Sequence, residues 1–381
     1  MSESFYDAIS AFLGFSKLFS MTSITSSDNT SKYKCNHIIH FLSLVHLVIV
    51  AFTYYLSFDT DGKYVGNSDI YFLSYFTYDM LNMIRFVVIY IRSSWKVQKE
   101  IDMYRAVDEF DAKLEGNDDM AAANNWITRQ SFALLSLAIL SQTLTETFVA
   151  LISYKVITAN LIICKVLPAF TGTLRKCYYF LWTCWLRKRF EIINKRLLTV
   201  KKRSKVNRRH VFSVYSFHKE LDELMEMYKK LGEITRNVNE YFNIELLLHF
   251  LLLFDVVFAN GYYMSFVLNL NDSTFLYIFT VIKNYIYLLF ESYSLVYSST
   301  LLCKEAAKSK MILNRIRVDP YDENAHGLMI TSIYELKENQ VTISVCRLFS
   351  INKAMMFGMM SNISNYIFIM LQLEYQTENT D

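Results

Sequence analysis

Long apolar stretches dominate the chain, and polar residues collect between them. Seven stretches approach or exceed the length of about 20 residues that crosses a hydrocarbon core of roughly 30 Å. They occupy residues 38–58, 70–91, 131–153, 160–186, 243–268, 274–302 and 352–373. None shows the alternation over about ten residues that is typical of barrel strands. The pattern therefore predicts an all-α polytopic membrane protein with seven transmembrane helices.

The composition agrees with a chain that is embedded in lipid over much of its length. Of the 381 residues, 53% are hydrophobic and 16% are aromatic. The chain has only 9 Gly and 2 Pro, so no Gly/Ser-rich or Pro-rich linker separates soluble domains.

The basic residues predict the orientation of the spans. The N-terminus and the three long connections hold 31 Lys and Arg, whereas the short connections and the C-terminal tail hold 2. Because basic residues favour the cytoplasmic side, the N-terminus is predicted to be cytoplasmic and the C-terminus extracellular. Residues 211–236 and 326–350 show helical patterns and are expected to continue the spans below the membrane.

The densest basic run lies directly after the fourth span. Residues 187–209 carry eleven Lys and Arg. Beside a span, such a run is more typical of contact with anionic lipid than of nucleic-acid binding. The lipid membrane is therefore an expected partner, and nucleic acid is not.

The last apolar stretch carries its polar residues on one line. Positions spaced alternately three and four residues apart form a single seam along a helix. From residue 355 this seam holds Met355, Gly358, Asn362, Asn365, Ile369, Gln372 and Gln376. The other faces are almost entirely apolar, as at Phe357, Ile363 and Phe368.

Two interpretations of this seam are open. In the first, the small and amide side chains hydrogen-bond to neighbouring helices. In the second, several copies of the helix surround an aqueous pore, and rings of amides face water. A ring of Ile369 side chains would then make an apolar constriction, which can close a pore by expelling water.

The C-terminal stretch RLFSINKAMMFGMMSNISNYIFIMLQLE (347–374) resembles the C-terminal signature of the insect gustatory receptor family. That signature is Thr-Tyr, five mostly apolar residues, and Gln-Phe near the end of the last helix. Tyr366 and Gln372 match its spacing, whereas Asn365 replaces Thr and Leu373 replaces Phe. The upstream LFSIN, the seven spans and the short outside tail also resemble this family.

The resemblance implies a chemoreceptor that is a ligand-gated, non-selective cation channel in the plasma membrane of sensory neurons. It implies a tetramer, either homomeric or formed with related receptors, and a small-molecule tastant as the ligand. Carried over by the motif, Gln372 is the implied pore-lining amide and Ile369 the implied gate. The candidate pore residues also include Asn362 and Asn365 from the seam and Glu374 at the start of the outside tail. Members that sense sugars carry Glu directly after the motif Tyr, so Ile367 favours a bitter or plant secondary compound.

The resemblance also implies a division of the chain into two parts. Residues 1–302 would form an N-terminal tail and a six-helix ligand-binding bundle. Residues 303–381 would form a cytoplasmic anchor helix and the pore-lining seventh helix.

The family's ligand cavity corresponds to the outer halves of the second to sixth spans. The candidate ligand-binding residues there are Tyr75, Tyr78, Asp79, Gln142, Glu146, Lys165, Tyr262, Lys283, Tyr287 and Glu291. Charges inside a span are costly and mark functional cavities. The alternative is that Lys283 pairs with Glu291 or another carboxylate within the bundle. Arg175 and Lys176, in the inner part of the fourth span, are expected to extend towards the cytoplasmic interface.

Enzyme chemistry is not indicated. The chain has no phosphate-binding Walker loop, no Gly-x-Ser-x-Gly and no His-Glu-x-x-His. His37, His40 and His46 lack partners at metal-ligand spacing. The sequence predicts no catalytic residue, cofactor or metal site.

Two other classes of membrane protein span the bilayer in a comparable way. A G-protein-coupled receptor would need the opposite orientation. A transporter is often built from repeated halves with Gly- or Pro-interrupted helices, and neither feature is visible here.

The predicted orientation can be tested with epitope tags in intact cells. We expect antibody to label a C-terminal tag from outside and to reach an N-terminal tag only after permeabilisation, because basic residues concentrate on the N-terminal side. The reverse labelling would contradict the channel class and favour the coupled receptor.

Overall fold

The structure is a computed structural model of the chain. It describes residues 4–19, 21–26, 33–61, 69–114, 118–153, 167–206, 211–267, 275–316 and 323–378. Side chains are described for these ranges except at 40, 53–61, 69–76, 78–79, 141–153, 203–206, 211–216, 259–267, 275–281, 283–285, 325, 370 and 373–378.

Helices form almost all of the described chain. In order they are α1 Phe5–Ala8, α2 Ser10–Leu18, α3 His37–Asp61, α4 Asp69–Trp95, α5 Val97–Lys113, α6 Asp118–Ser153, α7 Leu167–Val206, α8 Val211–Val267, α9 Phe275–Leu313, α10 Glu323–Glu338 and α11 Lys353–Glu378. Two short antiparallel hairpins complete it: β1 Ile24–Ser26 with β2 Tyr33–Cys35, and β3 Ser344–Val345 with β4 Phe349–Ser350.

The predicted spans coincide with the long helices. Apart from residue 352, every described residue of the seven predicted spans is helical. Two described stretches, Phe217–Phe258 and Ile286–Leu313, are long and apolar enough to cross a membrane by length and composition. Each of the seven predicted spans includes some side chains outside the described set, and residues 160–166, 268 and 274 lie wholly outside the described residues. The all-α prediction is confirmed.

Several helices extend well beyond a membrane thickness. Helix α8 has 57 residues and is therefore about 85 Å long at 1.5 Å per residue. Helices α7 and α9 have 40 and 39 residues. A hydrocarbon core of roughly 30 Å covers less than half of α8. The prediction that 211–236 is helical and continuous with the fifth span is confirmed.

Helix α7 forms the centre of the core. It packs between α6, α8 and α9, and its Trp182 and Trp185 are fully buried. The ring of Phe5, from α1, lies 4.8 Å from that of Trp182. Before the first predicted span, α1, α2 and the first hairpin are folded and bury Phe5, Phe12 and Tyr33. The short apolar run at 5–19, which is rich in aromatic residues, was the signal for this packing.

A buried ion pair joins α5, α6 and α7. The guanidinium of Arg189 donates to both carboxylate oxygens of Asp111, at 2.8 and 2.7 Å, and to Oδ1 of Asn124 at 2.7 Å. The Arg189 side chain is 0% exposed. Burial raises the pKa of the Asp111 carboxyl, and its hydrogen bonds from Arg189 act in the opposite direction. The Arg189 side chain, from α7, therefore connects this helix to α5 and α6.

The segment before α11 differs from the expected helix over 326–350. Helix α10 ends at Glu338, and residues 341–345 alternate between buried and more exposed side chains, as a strand does. The run Val-Thr-Ile-Ser-Val is rich in β-branched residues, which favour this conformation. The hairpin turn places Cys346 and Arg347 at positive φ, 48° and 60°, which costs roughly 1–2 kcal/mol for each non-glycine residue. The prediction of a helix over 339–350 was wrong.

Large apolar side chains cover much of the outer surface of the spans. The exposed ones include Phe41 and Phe52 on α3, Phe290 on α9, and Phe357 and Phe368 on α11. Exposed aromatic side chains in this number are expected to lie against lipid or another protein.

The Asp111–Arg189 pair gives a test of the fold. Asp111→Ala leaves the buried Arg189 charge without its carboxylate and is expected to destabilise the protein by about 3–5 kcal/mol. The measurement is the thermal unfolding midpoint of purified protein in detergent. The control is Lys113→Ala, which removes the nearby exposed Lys113–Glu226 pair and should leave the midpoint almost unchanged. Equal midpoints for both variants would contradict a structural role for Arg189.

Candidate functional site

Helix α11 begins at a side-chain cap and packs with one face. The Oδ1 of Asn352 accepts a hydrogen bond of 2.8 Å from the backbone N–H of Met355, which satisfies a donor at the helix start. Met356 and Ile363 are buried, and Met359 and Ile367 are half-buried. These positions form one stripe, which faces α8 and α9.

The amide seam lies on the opposite side of α11. Asn362, Asn365 and Gln372 are exposed, and Ile369 is 49% exposed. At about 100° per residue, the centre of the seam is roughly 150° from the centre of the packed stripe. Within the described part of the chain, none of the three amides has a hydrogen-bond partner. Hydrogen bonding to helices of the same chain therefore does not account for the seam here.

The remaining positions of the C-terminal motif are only partly described. Tyr366 is exposed on α11, and its ring lies 6.4 Å from that of Phe254 on α8. The side chains of Leu373 and Glu374 lie outside the described set.

Most of the predicted ligand-binding side chains also lie outside the described set. They are Tyr75, Tyr78, Asp79, Gln142, Glu146, Lys165, Tyr262 and Lys283. Tyr287 and Glu291 are described, and the structure brings them together, since the Tyr287 hydroxyl donates to Oε1 of Glu291 at 2.8 Å. Their role in ligand binding stays a prediction.

Glu291 is the centre of a buried polar group between α7 and α9. Its carboxylate accepts hydrogen bonds from Tyr287, from Oγ1 of Thr173 at 3.1 Å and from the ammonium of Lys176. Lys176 therefore pairs across the bundle. The expectation that it extends towards the cytoplasmic interface was wrong. Lys283, which the sequence offered as a possible partner of Glu291, lies outside the described side chains. Among the described residues, Lys176 contacts this carboxylate.

A second buried carboxylate joins α4, α7 and α8. Arg175 donates to Glu245 through Nε at 2.6 Å and through Nη2 at 3.2 Å, and Arg92 approaches the same carboxylate at 3.6 Å. The Arg175 guanidinium also lies 4.9 Å from the ring centre of Tyr241. Arg175 is 4% exposed, so the expectation that it extends to the interface was wrong. A buried acidic partner holds it within the bundle.

Other polar residues of the spans were missed by the sequence reasoning. His249 lies 3.0 Å from the Ser292 hydroxyl, and Oδ1 of Asp255 accepts a hydrogen bond of 2.9 Å from Thr77. The buried Arg85 passes so close to Gly172 that a Cβ at residue 172 would overlap its guanidinium. Ionisable residues inside predicted spans were the available signal, but spacing along a helix could not identify their partners.

The space inside this polar group is small. Arg85, Gly172, Lys176 and His249 are among the residues around a cavity of about 20 Å³. That volume holds about one water molecule and not an organic ligand. This polar group therefore has no room for an organic ligand in the described structure.

A third buried group of polar side chains, centred on Glu100, lies nearer the cytoplasmic side by the predicted topology. The Glu100 carboxylate accepts hydrogen bonds of 2.6 Å from the hydroxyls of both Tyr178 and Tyr241, and the Tyr104 hydroxyl lies 2.7 Å from that of Tyr178. Burial raises the pKa of Tyr104 and of Tyr241 well above the ordinary value. These phenols stay protonated and can donate, which stabilises a carboxylate that is almost completely buried.

Comparison with known proteins identifies the class of protein. The family model described as "7tm Chemosensory receptor" matches residues 9–377. Because this match spans nearly the whole sequence, the chain belongs to the 7tm chemosensory receptor family. This is a family of receptors and not of enzymes. Comparison with curated protein sequences gives no match.

Solved structures of an insect olfactory receptor have the same fold. The olfactory receptor OR5 from Machilis hrabei in complex with eugenol superimposes with a TM-score of 0.66 at 10% identity, over 96% of this chain and 97% of that chain. The OR5 structure whose description names no ligand gives a TM-score of 0.64 at 11% identity, over 97% and 99%. At these identities the likeness shows the seven-transmembrane fold alone.

The Lys176–Glu291 pair can be tested by a double-mutant cycle. Glu291→Leu or Lys176→Met alone strands a buried charge and should destabilise the protein by about 3–5 kcal/mol. The double variant replaces both charges with apolar side chains and should recover most of that loss. Thermal unfolding of the four purified proteins measures the coupling. Losses that simply add in the double variant would show that the two side chains do not pair.

Proposed function

We propose that this chemosensory receptor is a gustatory receptor and a ligand-gated, non-selective cation channel. The observation that carries the proposal is the exposed amide seam of α11, which lies opposite the face that packs against α8 and α9. A transmembrane helix gains nothing by turning amides to lipid, since each would lose its hydrogen bonds there. Water, or an equivalent seam on another copy, satisfies them.

The chemistry of the seam fits a pore with an apolar gate. In a ring of subunits, the Ile369 side chains converge and exclude water, so a cation would have to shed hydration without any replacement ligand. One turn outward, Gln372 offers amide oxygens to a partly hydrated cation. Beyond it, the carboxylates of Glu374 raise the local concentration of cations. The order along the helix is apolar gate, amide ring and acidic mouth.

The ligand is a small organic tastant that binds in the outer halves of the bundle. Aromatic and polar residues of the second to sixth spans make up the candidate lining, and such a mixture suits an organic molecule. The eugenol complex of OR5 shows that a receptor with this fold binds a small aromatic compound. Ile367 after the motif Tyr366 favours a bitter or plant secondary compound over a sugar.

The functional unit is a tetramer in the plasma membrane of sensory neurons. A single copy of α11 cannot enclose a pore, so its seam requires further copies of this chain or of related receptors. In the C-terminal motif, Tyr366 and Gln372 keep the spacing of the gustatory signature and support the gustatory rather than the olfactory type, whereas Leu373 stands where that signature has Phe. Expression in a cell without other chemoreceptors, with current recorded during application of a panel of plant compounds and sugars, tests activity and ligand class together.

The gate is tested by one change on the seam and one off it. Ile369→Ser makes the constriction polar and is expected to give cation current without ligand. Phe368→Ser alters the adjacent exposed residue, about 100° away around the helix, and should leave the resting channel closed. Whole-cell current at equal surface expression is the measurement. A silent Ile369→Ser channel, or equal resting currents in both variants, would place the gate elsewhere.

A further inference from the structure

A polar cavity of about 460 Å³ lies away from the amide seam and the candidate ligand residues. One wall is the stretch of α8 from Tyr228 to Asn243, and the other is the segment 339–347 that leads from α10 into the second hairpin. A volume of this size is typical of small-molecule sites. By the predicted topology, residue 243 begins a span and residue 347 lies just before another, so the cavity is at the cytoplasmic boundary of the membrane.

The cavity lining carries more basic than acidic side chains. Lys229 and Arg236 from α8 and Arg347 from the hairpin turn are exposed along its lining. Within the described ranges, none of these three forms a salt bridge. Of the two acidic residues in the lining, Glu240 is bound by Lys99 at 2.8 Å, and Arg347 and Arg236 also contribute to lowering its pKa. Three basic groups thus share the lining with two carboxylates, one of which has a lysine of its own. Two guanidiniums and an ammonium around one cavity suit a phosphate group.

Two amides in the same lining need hydrogen-bond donors. The Oδ1 atoms of Asn239 and Asn243 are buried and have no partner among the described residues. A buried carbonyl oxygen without a donor is costly. Both residues belong to the cavity lining, and a rotation of either amide would be needed to present its oxygen to a ligand hydroxyl. Inorganic phosphate carries few O–H donors near neutral pH. The lining therefore favours a phosphate ester that also carries hydroxyl groups.

We propose that this cavity binds a phosphorylated polyol at the cytoplasmic face of the membrane. Lys229, Arg236 and Arg347 contact the phosphates, and Asn239 and Asn243 contact the hydroxyls. The ligand is either the headgroup of an inositol phospholipid or a soluble inositol phosphate, since both present the same groups. Because Arg347 lies in the turn that leads directly to α11, the ligand would bind the segment from which the candidate pore helix starts.

The binding experiment uses the purified full-length protein in two kinds of lipid nanodisc. In the first, the nanodisc is neutral phosphatidylcholine, and soluble inositol trisphosphate is titrated while binding is followed by calorimetry. In the second, phosphatidylinositol bisphosphate is included, and its retention by the protein is measured against phosphatidylcholine. Saturable binding of inositol trisphosphate identifies a soluble source, and selective retention of the bisphosphate alone identifies a lipid source. Either result supports the proposal.

Charge and hydroxyl recognition are separated by matched variants. Arg236→Gln and Arg347→Gln should each weaken binding by about tenfold or more. Arg315→Gln removes an exposed arginine that is outside the lining and should have no effect. Asn243→Ala should weaken inositol trisphosphate but leave binding of pyrophosphate, which has no hydroxyl on carbon, unchanged. Lys229→Gln, at an exposed position, gives a further charge variant if either arginine variant fails to fold.

The result that overturns the proposal is equally specific. It is the absence of binding in both nanodiscs, or a loss with Arg315→Gln as large as the loss with Arg236→Gln. Equal weakening of trisphosphate and pyrophosphate by Asn243→Ala would also overturn the polyol assignment.

Discussion

The arrangement of the bundle depends on one requirement, which is that charges inside it must be paired. Arg175 and Glu245 meet this requirement at the point where α7 and α8 come together, with Nε and Oε2 at 2.6 Å. Arg92 adds α4 to the same carboxylate. Loss of Glu245 would leave two buried guanidiniums without a carboxylate, which is strongly destabilising. The mutual positions of three helices are therefore set by a single carboxylate.

Helix α8 connects the Arg175–Glu245 pair to the second hairpin, to α11 and to the polar cavity. Outward from Glu245, the ring of Phe250 lies 6.1 Å from that of Phe349 in the second hairpin, and Phe254 contacts Tyr366 on α11. On the cytoplasmic side, the preceding turns of the same helix form a wall of the polar cavity. The candidate pore helix, the hairpin that precedes it and the cavity thus all contact one helix, so a shift of α8 would reach each of them.

The sequence predicted the spans well because their length and apolar character are local properties. The helical continuation of the fifth span into 211–236 was likewise visible as a period of 3.6 residues. The hairpin at 344–350 was missed because the β-branched alternation from Val341 to Val345 is short and lies between two helices. The pairing of Lys176 with Glu291 could not be predicted, since spacing shows which residues share a helix face but not which helices meet. The exposed seam of α11 was predicted from spacing alone, whereas its surroundings in an assembly depend on other copies.

The central claim is that the seam of α11 faces an aqueous path and the opposite stripe does not. Cysteine substitution along α11, followed by exposure to a small cationic thiol reagent during ligand application, tests it most directly, with the unsubstituted receptor as the control for native cysteines. We predict that modification changes the current at Gly358, Asn362, Asn365 and Ile369, and that Met356, Ile363 and Ile367 are unaffected. Modification of the packed stripe, or reactivity without the alternating three- and four-residue spacing, would contradict the account.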